Sequence, residues 1–558
     1  MTRSTSTTAS QSALAPAVAP AGAQAGAGPS RRPVRRVLLM FPPTRLGKEL
    51  LPRLMPPLGI SHLAAVIRND YEVRLLDANG TDFEHVVELP RGFRRHGMAY
   101  EDIRQIIEDW KPDFVGMTCL FSSVWPVIKE LSAMIKAVDP TIHTAAGGCH
   151  PTFLTRRCMD EAPALDFIVK GEGEYALRDL LATINAGGDL RLVDGLAFRD
   201  GPAGGAAGVS AAAGEPQVFV NEKVGYIPDL DALPYPARDL LELDLYSGGM
   251  HHGISETHRK VAVMYSSRGC AAKCIFCSSV EFWGHEYRHR SPESLLDEMQ
   301  YLVDTYGIQE IQFEDDNLTQ NKRRARLIFE GMIARGLHEK LVWNTPNGIA
   351  LWALDVELLR LAQKAGCYQL TLAIESGNQE VLDNVIHKPL QLEKARELAR
   401  EIKKLGIDTN AFFIIGFPGE TLDDMRDTFQ FARDLDLNSA CFFIAQPLPG
   451  TRLFDISVRN GYLPADFRFE DATYSRGVIS TPDWTAEQVQ KLANTELLKY
   501  QLRANLKNPG KLWRAFKNDP RAVTRIVGKV FTRVLESYKN RPIAFPQKAL
   551  TSDSTTSV

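Results

Sequence analysis

Short apolar runs alternate with segments of helical periodicity between residues 35 and 180. In the longer segments, such as 59–68, 102–110 and 124–138, apolar residues recur three and four positions apart, as on one face of an α-helix. The short runs are the predicted strands, at 36–41, 73–77, 114–119, 143–146 and 167–169. Alternation of strands with helices predicts a parallel doubly wound sheet in an α/β fold, which binds ligands beyond the carboxyl ends of its strands.

The same alternation returns between residues 261 and 445, now with six apolar runs. The six predicted strands are 261–266, 310–313, 341–344, 369–374, 411–415 and 441–445. Six successive strand–helix units predict a partial (β/α)6 barrel, short of the usual eight units, with its chemistry at the carboxyl ends of the strands. Beyond residue 460 the pattern is helical, which predicts a helical C-terminal region.

Length and composition divide the chain further. A chain of 558 residues is too long for one hydrophobic core. The first residues are rich in Ala, Ser, Thr, Gly and Pro and predict a disordered tail, and the Gly/Ala-rich stretch 201–214 predicts a flexible insertion in a hairpin or linker. The predicted boundaries are a disordered tail at 1–33, a doubly wound domain at 34–190, a linker at 191–255, a barrel at 256–460, a helical domain at 461–545 and a disordered tail at 546–558.

Charge and hydropathy bear on the partners of the chain. The net charge of −3 provides no electrostatic attraction for nucleic acid. Apolar stretches all fall short of about 18 residues, so no transmembrane helix is predicted. Between residues 499 and 541, twelve Lys and Arg residues accompany two acidic ones. This segment predicts either a helix packed on the barrel with a solvated basic face or a helix that contacts an anionic membrane surface.

Three of the eight cysteines, Cys270, Cys274 and Cys277, form a C-x3-C-x2-C run, which is the strongest chemical signal in the chain. Thiolates at this spacing can bind three irons of a 4Fe-4S cluster, and with no fourth cysteine nearby one iron is left open for a ligand. A zinc site completed by His285 or His289 is the alternative. The run indicates a reducing, cytoplasmic environment, and the five scattered cysteines are predicted to be small buried side chains.

Small and polar residues follow the predicted strands of both sheets. Glycine lets a ligand approach the backbone closely, so several such strand ends on one edge predict a pocket. The strand ends of the first sheet include Ser122, 147–152 (GGCHPT) and 171–174 (GEGE), and those of the barrel include 313–317 (FEDDN), 375–377 (ESG), 416–420 (GFPGE) and 446–451 (QPLPGT).

The cysteine run, followed in this order by the acidic, Glu-Ser-Gly and glycine-rich strand ends, closely resembles the radical S-adenosylmethionine (SAM) superfamily. The upstream domain, with the turn 56–59 (PPLG) and the turns at 147–152 and 171–174, resembles the cobalamin-binding subgroup of that superfamily. The resemblance spans about residues 35–460. It implies a Rossmann-like cobalamin-binding domain before a radical SAM barrel, and three cofactors: a 4Fe-4S cluster, SAM and cobalamin.

The resemblance also implies roles for individual residues. The implied cluster ligands are Cys270, Cys274 and Cys277, the implied SAM-binding residues are Phe276, Asp315, Asp316, Glu375, Ser376, Gly416 and Gln446, and the implied cobalamin-binding residues are Ser122, Gly147, Gly148, His150, Pro151, Glu172 and Gly173. The chain departs from the family in two places. Residues 314–316 read EDD where many members have Gly-Gly-Glu, and the D-x-H-x-x-G motif that supplies a lower axial histidine in other cobalamin proteins is absent. We therefore expect cobalamin without a strong protein ligand, and His150 in loop structure or corrin contact.

The activity implied by the resemblance is methylation of an unactivated carbon in a small-molecule or lipid-like substrate, through a 5'-deoxyadenosyl radical and methylcobalamin, with a reductant such as flavodoxin or ferredoxin. Three alternatives stay open. The first is an oxidative cyclase or rearrangement enzyme that acts on a tetrapyrrole or secondary metabolite, since fold alone does not separate these reactions. The second is a non-catalytic corrinoid or Fe–S carrier. The third is an enzyme whose first domain has lost cobalamin and serves as a scaffold.

Overall fold

The computed structural model describes residues 31–50, 52–200, 217–246 and 259–507. Residues 1–30 of the predicted N-terminal tail, the Gly/Ala-rich insertion and the basic segment beyond residue 507 lie outside these ranges. Arg32 belongs to the predicted tail, yet its guanidinium pairs with Asp113 at 2.6 Å, so the end of the tail is anchored to the first sheet.

The first sheet is built from the segments in which the sequence predicts strand–helix alternation. The strands of this region are β1 (Arg36–Phe41), β2 (Thr44–Gly47), β3 (Glu72–Asp77), β4 (Val86–Leu89), β5 (Phe93–His96), β6 (Phe114–Thr118), β7 (His143–Gly147), β8 (Phe167–Val169), β9 (Leu196–Asp200) and β10 (Gln217–Val220). Its helices are α1 (Leu58–Ile67), α2 (Tyr100–Trp110), α3 (Trp125–Val138), α4 (Cys149–Phe153), α5 (Thr155–Glu161) and α6 (Glu174–Ala186).

Five strands of this sheet are parallel, in the order β3-β1-β6-β7-β8, which confirms the predicted doubly wound sheet. The chain order reverses between β1 and β6, and the strand ends on either side of such a switch point form a crevice for a ligand. The edge differs from the expectation: β9 pairs antiparallel with β8, and β10 pairs antiparallel with β9, inside the region assigned to a linker. A stretch rich in Gly and Ala separates these two short strands, so the sequence shows no continuous alternation of apolar and polar residues there.

A small antiparallel sheet, β2-β5-β4, lies beside the first sheet and has no counterpart among the predicted strands. Each of its strands has only four residues. Arg45 on β2 pairs with Asp471 at 3.0 Å and donates to the Glu470 carbonyl at 2.6 Å, so this sheet holds the C-terminal segment against the first domain.

The second sheet contains the six predicted strands, all parallel and in chain order. The strands of this half are β11 (Val261–Met264), β12 (Ser267–Arg268), β13 (Arg288–His289), β14 (Glu310–Phe313), β15 (Val342–Ile349), β16 (Cys367–Glu375), β17 (Asp408–Ile415) and β18 (Cys441–Ile444), of which β12 and β13 form a separate antiparallel pair. The helices are α7 (Ser279–Trp283), α8 (Pro292–Tyr306), α9 (Lys322–Ala334), α10 (Val356–Lys364), α11 (Leu392–Lys404), α12 (Leu422–Leu435), α13 (Arg452–Arg459) and α14 (Ala486–Lys507).

The barrel strands present opposite faces to the helices and to the barrel interior. Phe313 of β14 and Trp343 of β15 meet edge to face at 5.6 Å, and Phe329 of α9 stacks on Trp343 at 5.1 Å. Side chains alternate along a strand, so Glu310 and Gln312 of β14 lie on the other face, where Gln312 donates to Glu310 at 3.1 Å. The interior of the barrel is therefore polar, and the next residue on that face emerges at its mouth.

Three of the five scattered cysteines are buried as predicted, namely Cys119, Cys158 and Cys367. The other two, Cys149 after β7 and Cys441 at the start of β18, are half-buried. None of the helices in the described part of the chain combines the length and hydrophobicity that a membrane-spanning segment requires.

A buried carboxylate of the barrel binds the connector, which is the segment between β10 and β11. Glu298 of α8 is 1% exposed, and its two oxygens accept from Arg238 at 2.5 Å and from Arg290. Arg238 lies in the connector and also donates to the Val263 carbonyl at 2.8 Å. Burial disfavours the charged carboxylate, but the two arginines outweigh it and hold the pKa of Glu298 at about 2. The carboxylate is thus charged, and it depends on both partners.

Substitution Arg238→Leu is expected to lower the free energy of unfolding by about 3–5 kcal/mol, because it leaves a buried carboxylate with one arginine. Urea titration followed by tryptophan fluorescence measures this change. Arg335→Leu is the control: its pair with Asp297, at 2.6 Å, is exposed and contributes less than about 1 kcal/mol. An equally small loss in the two variants contradicts the expectation.

Candidate active site

The cysteine loop leaves the barrel directly after β12, as the sequence predicts. Gly269 adopts φ +88°, and a Cβ at this position lies 2.9 Å from the Glu286 carbonyl oxygen, so the turn into the loop requires glycine. Cys270 and Cys274 are half-buried, and Cys277 is exposed. The Ser279 amide donates to Cys277 Sγ at 3.4 Å, a contact that favours the thiolate form.

The three thiols lie close enough to influence one another. Desolvation by the surrounding protein is the main cause that raises their pKa values, to about 11 for Cys274, and neighbouring cysteines add to this effect at Cys274 and Cys277. Binding iron removes the protons, because a metal binds the thiolate. No three His, Cys, Asp or Glu side chains within the described ranges converge on a single-ion site, so His285 and His289 do not complete a zinc site with the cysteines. Three thiols on separate irons, as in a cubane, fit this loop.

Asp315 and Asp316, in the acidic strand end after β14, have different surroundings. Asp315 is buried; it accepts from the Ser266 hydroxyl at 2.6 Å, from the Ser266 amide at 3.0 Å and from the Ser267 hydroxyl. Asp315 therefore holds the strand end before the cysteines, and its contact with SAM stays a prediction. Asp316 is exposed, accepts from the Ser279 hydroxyl at 2.7 Å and lies near the thiols, so it stays a candidate.

A buried ion pair lies at the carboxyl end of β16. Glu375 Oε1 accepts from Lys388 Nζ at 3.2 Å, and both side chains are at most 6% exposed. Burial lowers the pKa of Lys388, but Glu375 and the nearby thiols Cys274 and Cys270 outweigh it and raise the pKa overall. Sequence reasoning identified Glu375 and missed Lys388, which follows a π-helical turn instead of a strand. A basic residue shortly after the Glu-Ser-Gly strand end is the signal that could have found it.

Other predicted SAM-binding residues form the walls of the same strand ends. Ser376 is fully buried, and its hydroxyl lies 3.2 Å from the Thr428 hydroxyl of α12. Gln446 donates to the Arg476 carbonyl at 2.7 Å, while its own carbonyl oxygen is buried and has no hydrogen-bond partner. The Ser376 side chain therefore supports the loop, and the Gln446 carbonyl is available to a ligand.

The turn after β17 is held by an acid that the sequence did not single out. Glu420 is fully buried and accepts from the amides of Gly416 and Phe417 at 2.8 and 2.7 Å. Phe417 packs against Phe276 of the cysteine loop, with ring centroids 5.7 Å apart. Burial raises the pKa of Glu420 to about 8, so the acid is protonated near neutral pH. Gly416 has φ +88°, which suits glycine at this turn.

The loops of the first sheet lie opposite the cysteines. Gly148 has φ +105°, and a Cβ there lies 2.7 Å from the Cys119 carbonyl oxygen, so Gly147 and Gly148 bring two strand ends together. His150 is 1% exposed, with Nδ1 2.8 Å from the Ser122 hydroxyl, and burial lowers its pKa to about 4. A neutral, buried histidine serves the loop structure, one of its two predicted roles. Pro151 is buried beside it.

The turn at 171–174 contacts the barrel half. Glu172 was predicted to contact cobalamin, yet it is 3% exposed, and its carboxylate binds Arg268 at 2.6 Å and Arg288 at 2.8 Å, both in the barrel half. Gly173 packs against Leu63 of α1, where an added Cβ lies 3.1 Å from the Leu63 side chain. The Glu172 carboxylate thus binds two arginines of the barrel half, and its contact with cobalamin stays a prediction.

The space between the cysteine loop and the loops of the first sheet, here called the cleft, is bordered by Tyr474, which lies near enough to Cys277 and Cys149 for both to raise its pKa. Tyr474 is 40% exposed and Arg53 is exposed as well, yet desolvation raises the pKa of Tyr474 and lowers that of Arg53. Glu314 follows Gln312 on the interior face of β14; it accepts from Asn347 at 2.6 Å, and burial raises its pKa to about 7. None of these cleft residues was predicted.

Substitution Glu420→Gln tests the protonated acid. The protonated Glu420 side chain contributes stability that is fully present below pH 4.5 and is lost as the pH rises through about 8, because the folded protein must then bury a carboxylate. The amide of the variant does not ionise, so its stability lacks this pH dependence. Between pH 5 and 8.5 the wild type is expected to lose on the order of 3 kcal/mol relative to the variant, since one pKa unit equals about 1.4 kcal/mol. Thermal unfolding across this range measures the difference, and parallel pH profiles contradict it.

Comparison with known proteins agrees with this geometry. A family model for the B12 binding domain matches residues 51–181, and one for the radical SAM superfamily matches residues 264–432. The first range contains four of the five parallel strands of the first sheet, from β3 to β8, and the second contains the cysteine loop and most of the barrel.

Two curated relatives and one solved structure resemble most of the chain. Cytidylyl-2-hydroxyethylphosphonate methyltransferase from Streptomyces wedmorensis is 33% identical over 487 residues, which cover 82% of this chain and 88% of the relative. The anaerobic magnesium-protoporphyrin IX monomethyl ester cyclase from Cereibacter sphaeroides is 28% identical over 422 residues, 75% of this chain and 63% of the relative. The cobalamin-dependent SAM radical enzyme OxsB, solved with aqua-cobalamin and SAM, shares the fold, with a TM-score of 0.63, 16% identity and coverage of 91% and 72%. The chain therefore belongs to the cobalamin-binding radical SAM enzymes.

Proposed function

We propose that this enzyme methylates an unactivated carbon of a small-molecule substrate held in the cleft between its two sheets. The observation that carries the proposal is that the cysteine loop of the barrel and the loop after β7 of a B12 binding domain lie close together: Tyr474 is near enough to both Cys277 and Cys149 for each to influence its pKa. A relative that covers most of the chain is named a methyltransferase, which supports transfer over the other reactions of the family.

The residues present fit the three cofactors of the family. The three cysteines would hold the 4Fe-4S cluster, and Gly147, Gly148 and the polar residues around them would hold cobalamin beyond the strand ends. In such enzymes the reduced cluster supplies the electron that cleaves SAM, and cobalamin supplies the methyl group. The protein contributes position and exclusion of water, for which the buried loops around the cleft are suited.

The Glu375–Lys388 pair supports a site for the charged end of SAM. The amino and carboxylate groups of SAM carry opposite charges, and a buried carboxylate beside a buried ammonium can bind both. The pair lies near Cys270 and Cys274, as chelation of the open iron by the same end of SAM requires. Asp316, exposed beside the thiols, can accept a further hydrogen bond from the amino group.

The far side of the cleft offers groups for the substrate. Glu314 is bound to Asn347 at 2.6 Å, with the Arg53 guanidinium near enough to influence its pKa. These groups suit a polar substrate with a hydroxyl or an anionic group, and they argue for a small molecule instead of a purely apolar lipid. A lipid-like substrate would depend on the basic C-terminal segment, which lies outside the described residues. Reduced thiol ligands support a cytoplasmic location, with flavodoxin or ferredoxin as the electron donor.

Substitution Cys274→Ala tests the assignment. After anaerobic reconstitution with iron and sulfide, the variant is expected to lose most of its bound iron and to release deoxyadenosine from SAM only at background level, because the cluster loses one of three protein ligands. Iron analysis and chromatography of the reaction measure both quantities. Cys367→Ala, which removes a buried cysteine at the start of β16, is the control and keeps both.

The reaction type is decided by mass spectrometry of the products. Cytidylyl-2-hydroxyethylphosphonate is the first substrate to offer, because a relative acts on it. A gain of one methyl group from labelled SAM supports methylation. Loss of hydrogen or gain of oxygen instead supports a cyclase, the activity named for another relative. Retained deoxyadenosine release in Cys274→Ala contradicts the cluster assignment itself.

Substitution Lys388→Met is expected to weaken SAM binding about 10- to 100-fold, since a hydrogen bond to a charged group contributes about 1.5–3 kcal/mol. Equilibrium dialysis with labelled SAM on the reconstituted protein measures the dissociation constant. Lys394→Met is the matched control, because Lys394 lies on α11, donates to the Trp352 carbonyl and does not face the thiols. If SAM affinity is unchanged in Lys388→Met while the bound iron is intact, Lys388 does not bind SAM.

A further inference from the structure

Both acidic side chains of the turn after β8 bind arginines of the barrel half. Glu172 Oε1 accepts from Arg268 at 2.6 Å and from Arg288 at 2.8 Å, and Glu174 Oε1 accepts from Arg268 at 2.5 Å. All four residues are at most 6% exposed. The group contains two carboxylates and two guanidiniums, so its charges balance away from water. Its geometry is narrowly set, because a buried charge is tolerated only while its partners stay in place.

The arginine end of this group is continuous with the cysteine loop. Arg268 stands two residues before Cys270 and is the register partner of Arg288 in the β12–β13 pair. The guanidinium of Arg288 also donates to the carbonyls of Ile227 and Trp283 at 2.7 and 2.8 Å. A movement of Glu172 therefore displaces the strand that leads into the first cluster ligand.

The carboxylate end is continuous with the cobalamin-side loop at 147–152. The Thr152 hydroxyl donates to the Gly148 carbonyl at 2.7 Å and accepts from the Gly171 amide at 3.0 Å. Gly171 immediately precedes Glu172. One unbroken series of contacts thus runs from the glycine pair of the first sheet through Thr152 and Glu172 to Arg268 and the cysteine loop.

We propose that Glu172 is a positioning residue that couples the cobalamin-side loop to the cluster loop, so that occupation of one site changes the affinity of the other. The inference rests on the proposed function for the identity of the two ligands. Methyl transfer to a substrate carbon requires both cofactors to lie close to the same carbon atom. A small misplacement of the reacting groups greatly lowers the rate. A shared carboxylate between the two loops provides that alignment through the protein alone.

The coupling is measured without any substrate. Hydroxocobalamin is titrated into the full-length protein with its cluster reconstituted and into the same protein after removal of iron by a chelator, and the dissociation constants follow from the absorbance change. Coupled sites typically differ 5- to 150-fold between such states. We expect at least a fivefold tighter binding of hydroxocobalamin to the cluster-loaded wild type, and a ratio near one in Glu172→Gln, in which the neutral amide pairs weakly with the arginines.

Two further variants separate coupling from simple loss of structure. Thr152→Val removes the bridging hydroxyl between Gly148 and Gly171 while it leaves the four buried charges intact, so it is expected to fold and to lower the ratio as well. Glu298→Gln is the matched control. It also neutralises a buried carboxylate that binds two arginines, Arg238 and Arg290, but this carboxylate binds neither loop, so the ratio stays at the wild-type value.

A spectroscopic measurement adds an independent reading. Addition of hydroxocobalamin is expected to shift the electron paramagnetic resonance signal of the reduced cluster in the wild type and in Glu298→Gln, and to leave it unshifted in Glu172→Gln and Thr152→Val. An equal ratio in the wild type and in both loop variants overturns the inference, and so does a loss in Glu298→Gln as large as in Glu172→Gln. Because no product is measured, failure of methylation leaves this test intact.

Discussion

Parallel strands place all of their carboxyl ends at one edge of a sheet, and this constraint organises the whole molecule. Each of its two sheets therefore has a single edge at which loops can hold a ligand, and a reaction that needs two cofactors requires those edges to meet. The contacts between them are close: Gly450, in the loop after β18, leaves no room for a Cβ, because Phe153 from the other sheet lies 2.4 Å from that position. Buried arginine–carboxylate groups on Glu172 and Glu298 then fix the approach.

The sequence predicted the architecture well because both sheets repeat one pattern. The five parallel strands of the first sheet and the six of the second all coincide with apolar runs, and the cysteine spacing identified the chemistry. The elements it missed are short or interrupted. The strands β2, β4 and β5 have four residues each, and β9 and β10 are separated by a Gly/Ala-rich stretch. Hydrophobic periodicity has too few positions to act on in such segments.

The candidate site was predicted in outline, and several of its predicted residues are bound to other parts of the protein. Asp315, Ser376 and His150 all belong to strand-end motifs, but each is buried and hydrogen-bonded to a neighbouring segment of the same domain. A motif marks where a strand ends and cannot show whether a polar side chain faces the ligand or supports the turn. Lys388 and Arg53 were missed for the converse reason: they reach the site from positions that follow no strand directly, so only the folded chain brings them together. Glu420 lies in the strand-end motif 416–420, but only the folded chain shows that its carboxylate holds the turn.

Glu375 combines two demands that a protein rarely reconciles at one position. Its backbone has φ +72°, a conformation that disfavours a non-glycine residue and costs about 1–3 kcal/mol, while its carboxylate pairs with Lys388 inside the barrel. Glycine at this position would relieve the backbone and remove the charge. Selection for thermostability alone thus favours glycine at this position, whereas selection for catalysis favours glutamate. Engineering of a more stable enzyme therefore has to change other positions.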